Sequence, residues 1–258
     1  MVCSISNVAF SFLGLPIYWY SLAYIFGIVI ALKLSVFFSK WFKSKALLAN
    51  LDDFISAAII GIILGGRLGH VLFYDFVYYL KFPEEILKIW KGGMSFYGGF
   101  IGVISVAYWF CRKHQIVFLE FMDLWSLSVP VGLFLGRMAN FANAELLGKE
   151  SNVPWSVVFR DGIHRHPSQL YEAFLEGILL FFVMLVAFKA GFYQYKGRLS
   201  GIFCTGYGIA RFCAEFFREP DSEFSRELLY FSGLNLNQYM SIILTVVGVI
   251  LILKSKKI

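Results

Sequence analysis

The sequence predicts an all-α integral membrane protein of seven transmembrane helices, with its N-terminus outside and its C-terminus in the cytoplasm. Three observations carry this. Of 258 residues, 59% are hydrophobic and 16% charged, where soluble domains run at roughly 45–50% and 25%. A water-soluble fold would have to expose much of that apolar surface, so lipid is the default solvent. Apolar runs near helix-crossing length recur seven times, and basic residues gather at the ends of alternate runs. The net charge of +6 therefore reads as positive-inside flanks, and no nucleic-acid partner is expected.

The first run is Pro16–Phe38, entered through PIYWYSLAY and closed by Lys40, Lys43 and Lys45. Its Tyr20 is either an interface anchor or a hydroxyl facing a cavity. The second, Phe54–Tyr74, holds Arg67 and His70 within GGRLGH, and Val71–Trp90 after it resembles an interfacial helix. The third, Gly92–Phe110, has five glycines between Gly92 and Gly102. That density predicts a broken or re-entrant helix, with Tyr97 either an interface anchor or a cavity hydroxyl. Arg112 and Lys113 follow on the cytoplasmic side. The fourth run, Phe121–Leu135, is short and passes into GRMANFANAE. Leu146–Gln169 is a polar connection long enough for a small outer-side head or lid. The fifth run is Ala173–Ala190, followed by Lys196 and Arg198. The sixth is Gly201–Phe217, and the seventh, Gln238–Leu253, ends at Lys254, Lys256 and Lys257. Loops on the opposite side mix their cations with Asp75, Glu84, Glu85, Glu150, Asp161, Glu219, Asp221 and Glu223. No internal repeat divides the chain, so residues 1–258 are expected to form a single domain. Cys3, Cys111, Cys204 and Cys213 have no metal-ligand spacing, Cys3 lacks the flanks of a cleaved signal segment, and no metal or cofactor is expected.

Charges within the apolar runs are the functional signal. An arginine at the centre of a span costs about 2.5–3.5 kcal/mol on insertion scales, so it faces a partner or a cavity. Arg211 and Glu215 stand at i,i+4 spacing, either as an ion pair that offsets its own desolvation or as part of a site. Arg218 is expected to snorkel to the outer interface, and Arg67, among small residues that allow close helix approach, either serves structure or reaches an interface or a carboxylate. Helical spacing puts Arg137 and Asn140 on one face, with Asn143 nearby and Glu145 beyond the helix end. A polar ligand at the lipid interface accounts for this group. Several fixed cations with amide and hydroxyl donors suit an anionic phospholipid headgroup, because the arginine fork matches phosphate. Ion conduction would show polar positions repeated along several spans.

Taken together, WYSLAY, GGRLGHVLFY, GGMSFYGG, GRMANFANAE, PWSVVF, RHPSQLYEAFLEG and GYGIARFCAEFFREPD, in this order over nearly the whole chain, resemble the prolipoprotein diacylglyceryl transferases. The resemblance implies a seven-span enzyme of the bacterial inner membrane whose site faces the outer leaflet, and the protein is expected to be a monomer. It implies transfer of the diacylglyceryl group of phosphatidylglycerol to the lipobox cysteine of a prolipoprotein, giving a thioether and glycerol 1-phosphate. Arg137 matches the family's essential arginine, Asn140 and Glu145 its polar partners, and Arg211 a second essential arginine. Glu215 matches the acidic residue one turn on, and Tyr20 a functional tyrosine near the first span.

One position departs from the family. Many members read GGMSFHGG, with the histidine proposed to activate the thiol, whereas this chain has Tyr97 there. An ordinary tyrosine, titrating near 10, is a poor base for a thiol near 8.5. His166 is the alternative by its titration range, or else it orients the loop beside Pro167. The expected mechanism places the phosphate between Arg137 and Arg211, with Asn140 and Glu145 holding the first arginine and Glu215 the second. The rival readings are a lipid transporter, a structural subunit and a different phospholipid-modifying enzyme.

Overall fold

The computed structural model describes residues 8–12, 15–42, 51–73, 76–220 and 223–257. Cys3, Lys43, Lys45, Tyr74, Asp75 and Asp221 lie outside the described residues. A hairpin of β1 (Val8–Phe12) and β2 (Leu15–Tyr18) leads into α1 (Trp19–Ser39). Then come α2 (Leu51–Phe73), the short α3 (Phe76–Lys81), two 3-10 turns at Pro83–Leu87 and Ile89–Lys91, and α4 (Phe96–Lys113). Next are α5 (Phe118–Ser126), α6 (Val129–Asn143), and a small two-stranded sheet of β3 (Val157–Val158) with β4 (His164–Arg165). After α7 (Ser168–Lys189) follow β5 (Tyr195–Lys196), α8 (Arg198–Ala214), α9 (Glu223–Ser232) and α10 (Leu236–Lys254). Finally β6 (Lys256–Lys257) pairs with β5.

The protein is thus largely helical and has the character of a multi-pass membrane protein. Among the described residues, four helices are long and apolar enough to cross a bilayer, and α5 with α6, bent by 47°, makes a fifth if counted as one span. The predicted third and sixth runs are also helical, as α4 and α8, but glycine and polar residues dilute their apolarity. Outward-facing positions carry large apolar side chains: Phe26 is 56% exposed, Val186 68% and Ile243 55%. That pattern is stable only against hydrocarbon. The chain divides into two compact units, residues Lys43–Met122 and the remainder.

Within the unit of residues 43–122, α2 and α4 meet along glycines. A Cβ on Gly69 would lie 2.6 Å from Gly98 Cα, and one on Gly65 would lie 2.9 Å from Gly102 Cα. Bare backbone is what lets the two helices approach this closely. The break expected in the third run is absent, because α4 runs unbroken from Phe96 to Lys113. Its glycines serve contact, and the chain turns earlier, at Gly92 and Gly93 with φ of +85° and +79°. The Ser95 side chain caps the helix by accepting from Gly98 N at 3.2 Å. The bend lies in the fourth run, between α5 and α6. Gly98→Val is expected to force the two helices apart, lowering stability by about 1–3 kcal/mol or more. Gly132→Ala, where an added Cβ meets nothing within 4 Å, is the control. Apparent melting temperatures in nanodiscs check both.

Arg67, 4% exposed, has a structural role, and its donors go to backbone carbonyls rather than to a carboxylate. Its guanidinium donates to the carbonyls of Ile86 (2.8 Å), Glu85 (2.6 Å), Lys88 (3.4 Å), Gly92 (2.5 Å) and Gly93 (3.1 Å). It also lies 5.2 Å from the Tyr79 ring centroid. One side chain therefore gathers the turns between α3 and α4 by offering its donors to their backbone carbonyls.

In the other unit α1 packs along α6, while α8 packs on α10 through small residues. Asp123, 1% exposed, accepts from Gly197 N (2.6 Å), Ser200 N (2.7 Å) and Ser200 Oγ (2.8 Å). Its charge meets the positive end of the α8 dipole. Residues Ala173–Leu179 within α7 form a π-helical stretch. Here Gly177 admits Phe134 of α6, whose Cβ lies 2.6 Å from where a Gly177 Cβ would stand.

Candidate active site

The site begins where α6 stops. After Asn143 the chain turns left-handed at Ala144 (φ 55°) and again at Leu146 (φ 55°), conformations that L-residues with a Cβ adopt at a cost. The first turn brings Glu145 back beside the helix end it has just left. Glu145 N donates to Asn140 O at 3.0 Å. Its carboxylate lies 3.5 Å from Asn140 Nδ2 and 3.4 Å from Asn143 Nδ2. Asn140 Nδ2 also donates to the Tyr20 hydroxyl of α1. Tyr20, Asn140 and Glu145 thus form one polar chain at the mouth of the helix. Ala144→Val is expected to lower stability by about 1–2 kcal/mol, since a branched side chain resists this backbone. Ala144→Gly should not lower it, and the two melting temperatures together test the turn.

The start of α7 is tied to the same turn. Gln169 Nε2 donates to Glu145 O at 2.6 Å and Ser168 Oγ to Leu146 O at 3.2 Å. These bonds set the register of α7, one turn into which stand Glu172 and then Glu176, both 0% exposed. Arg137 donates through Nε (3.1 Å) and Nη2 (3.0 Å) to Glu176 Oε2, and its Nη1 lies 2.9 Å from Glu172 Oε2. From α8, Arg211 Nη1 donates to Glu172 Oε1 at 2.6 Å and lies 3.6 Å from Glu176 Oε1. Arg211 Nη2 donates to Glu215. Glu215, 1% exposed, also accepts from Asn235 Nδ2 (2.9 Å) and Asn237 Nδ2 (3.1 Å) at the α10 cap. Arg218 Nη1 completes the group at 3.2 Å from Glu172 Oε1.

Three guanidiniums and three carboxylates therefore share one nearly dry space. Such a cluster is tolerable in low dielectric because every charge has an opposite neighbour. Glu172 is its centre, bonded by Arg137, Arg211 and Arg218 together. Arg137 and Arg211 are drawn together through this carboxylate, which stands between their guanidiniums where sequence reasoning placed a phosphate. The donors of Arg137 go to Glu172 and Glu176 rather than to Asn140 and Glu145, so the expected holding pair is corrected. Arg218 is 3% exposed and does not snorkel, because the Glu172 carboxylate offers it a partner inside.

Above the cluster, the connection from Leu146 to Pro167 forms a small head. Lys149 N donates to Phe217 O at 2.9 Å and Glu219 N to Leu147 O at 3.1 Å. His166 belongs to this head: its Nδ1 lies 3.2 Å from the Tyr171 hydroxyl, which accepts from Trp155 Nε1 at 2.7 Å, and its ring packs on Phe217. At the tip Asp161 accepts from Ile163 N and Arg165 Nε. Desolvation pushes its carboxyl up, but these hydrogen bonds and the Arg165 charge outweigh that and hold it below the ordinary range. Tyr97 lies in the first turn of α4, half-buried, in the unit of residues 43–122.

The profile of one protein family, described as prolipoprotein diacylglyceryl transferase, matches residues 7–254. The chain belongs to this family. A phosphatidylglycerol–prolipoprotein diacylglyceryl transferase of Wolbachia pipientis from Culex pipiens is 47% identical over 97% of this chain and 95% of its own length. Proteins of the same name from Ehrlichia ruminantium strain Welgevonden (44%, 98% of each chain) and Azospirillum brasilense (41%, 98% of this chain and 95% of the other) are also similar.

For a prolipoprotein diacylglyceryl transferase, the residues that sequence reasoning left unassigned are Glu172 and Glu176. Their signal was present: two acids at i,i+4 spacing at the start of an apolar run, the same pattern that singled out Arg211 and Glu215. Arg218 was noticed but sent to the wrong surroundings.

Proposed function

We propose that the buried arginine–carboxylate cluster is the catalytic centre at which this chain transfers the diacylglyceryl group of phosphatidylglycerol to the lipobox cysteine of a prolipoprotein. The chain is a membrane-embedded transferase of lipoprotein biosynthesis, and its products are the thioether-linked diacylglyceryl prolipoprotein and glycerol 1-phosphate. The observation that carries the site assignment is the pairing of Arg137 and Arg211 across Glu172. A guanidinium has five N–H groups, and carboxylates accept hydrogen bonds from two of Arg137's and two of Arg211's. The remaining donors suit the non-bridging oxygens of a phosphodiester.

In the transfer, the cysteine thiolate attacks the glyceryl C3, the C–O bond to phosphate breaks, and negative charge grows on the departing phosphate. Fixed cations help in proportion to how much more tightly they hold that developing charge than the starting diester. Glu172 and Glu215 fix the two guanidiniums beforehand, so little reorganisation is needed at the moment of reaction. Tyr20, Asn140 and Glu145 line the approach to Arg137 and position the headgroup glycerol. His166 orders the head through Tyr171. All seven helical runs cross the membrane in this reading, with Lys40, Arg112, Lys196 and Lys254 on the cytoplasmic side and the cluster towards the outer leaflet.

The test mixes purified protein in nanodiscs with labelled phosphatidylglycerol and a lipobox peptide, beside a peptide with the cysteine replaced by serine. Diacylglyceryl addition to the thiol peptide alone, with release of glycerol 1-phosphate, supports the reading. Consumption of lipid without a peptide product, or movement of lipid without chemistry, would overturn it.

A further inference from the structure

We propose that Glu176 is the proton acceptor that ionises the incoming cysteine thiol, an inference that rests on the transferase reading above. The nucleophile must be a thiolate, so a base is needed, and neither tyrosine at position 97 nor a histidine tied into the head is an obvious one. The cluster itself supplies the candidate. Of its three carboxylates, Glu172 is held by three guanidiniums, and Glu215 by Arg211 and two asparagine amides. Glu176 has all its hydrogen bonds on Oε2, both from Arg137. Among the described residues its Oε1 takes no hydrogen bond, although the side chain is 0% exposed. A proton there leaves both hydrogen bonds from Arg137 in place and meets Arg211 Nη1 only at 3.6 Å, whereas Glu172 Oε2, the other cluster carboxylate oxygen without a hydrogen bond, stands 2.9 Å from Arg137 Nη1.

The surroundings agree. Arg137 from α6, Arg211 from α8 and Glu172 from its own helix are the groups whose charges act on Glu176, and the neutral hydroxyl of Tyr207 from α8 lies in the same field. Glu172 and Glu176 are neighbouring carboxylates that share the guanidiniums of Arg137 and Arg211, and the like charge of Glu172 favours a proton on its neighbour. Glu176 also sits inside the π-helical stretch Ala173–Leu179, a rare distortion of the α-helix that is frequent at functional sites. Charge accounting supplies the driving force. The cluster is neutral with three cations and three anions, so a phosphodiester makes it negative and a thiolate more so. Keeping the thiol proton on Glu176 removes one of those charges.

The step balances. The S–H bond breaks, its proton goes to Glu176 Oε1, and its electron pair stays on sulfur. Sulfur bonds to the glyceryl carbon as the C–O bond breaks, its pair going to the phosphate oxygen. Glu176 then returns the proton to glycerol 1-phosphate, and the cluster is reset. No other co-reactant is required.

The experiment compares lipobox peptides carrying cysteine or selenocysteine, the latter ionised at neutral pH without a base. Glu176→Gln keeps the hydrogen bonds from Arg137 but cannot accept the proton. We expect its kcat with the cysteine peptide to fall by about 100-fold or more, and with the selenocysteine peptide to stay within a few-fold of the wild-type value. Equal losses with both peptides, or wild-type activity with cysteine, would overturn the assignment. If Glu176→Gln does not accumulate in membranes, Glu176→Asp carries the same comparison, with a cysteine-specific loss in support and an equal loss against. Failure of the wild-type protein to transfer diacylglyceryl to either peptide would instead sink the functional reading on which the inference stands.

Discussion

Arg137→Ala is expected to lower diacylglyceryl transfer by about a hundredfold to a thousandfold, the range seen when one preorganised donor to developing charge is removed. The substitution deletes the guanidinium that bonds both Glu172 and Glu176. It therefore also leaves two buried carboxylates short of a cation, and part of its effect will be structural. Arg137→Lys separates the two contributions. Lysine keeps the charge and much of the packing, but a point ammonium cannot serve two carboxylates and a phosphate in one plane. The lysine variant should melt close to the wild-type protein and still lose most of its turnover. Transfer rates and melting temperatures, measured on the same nanodisc preparations, decide this. A lysine variant of near-normal activity would remove Arg137 from the phosphate-binding role.

The second large effect is on stability. Glu172→Ala takes away the carboxylate shared by Arg137, Arg211 and Arg218, leaving three cations within a space that excludes water. Removing one partner of a buried pair costs about 3–5 kcal/mol, and here one carboxylate serves three partners. The variant is expected to accumulate poorly and to melt far below wild type. Glu172→Gln, which retains an acceptor oxygen but no charge, should fall between. Melting curves equal to wild type for Glu172→Ala would show that the cluster is held by packing rather than by its charges.

Much of this was visible in the sequence. Composition and apolar runs gave the membrane class, and helices stand at each of the seven predicted runs. The arginines and the polar groups of GRMANFANAE were found because they break the local pattern of a hydrophobic run. Less visible were pairings between helices. Periodicity says which face a residue occupies but not which residue meets it, so Arg137 was assigned to neighbours in its own motif instead of to carboxylates 35 and 39 positions on. The glycines of the third run illustrate the same gap: flexibility and close approach use the same residue, and only the carbonyls of α2 decide between them. Glu172 fell at the edge of an assigned span, where a charge excites no suspicion.

The ring of carbonyls around Arg67 has an evolutionary consequence. The clamp grips main chain only, at Glu85, Ile86, Lys88, Gly92 and Gly93, and every residue type offers the same carbonyl oxygen. Outward side chains along this segment, such as Leu87 at 78% exposed and Trp90 at 76%, are released from holding its shape, a duty left to Arg67, the Glu85–Lys88 ion pair and the left-handed Gly92 and Gly93. Natural variation can rewrite that outward surface to suit a different lipid composition while the backbone beneath it stays where a single arginine put it.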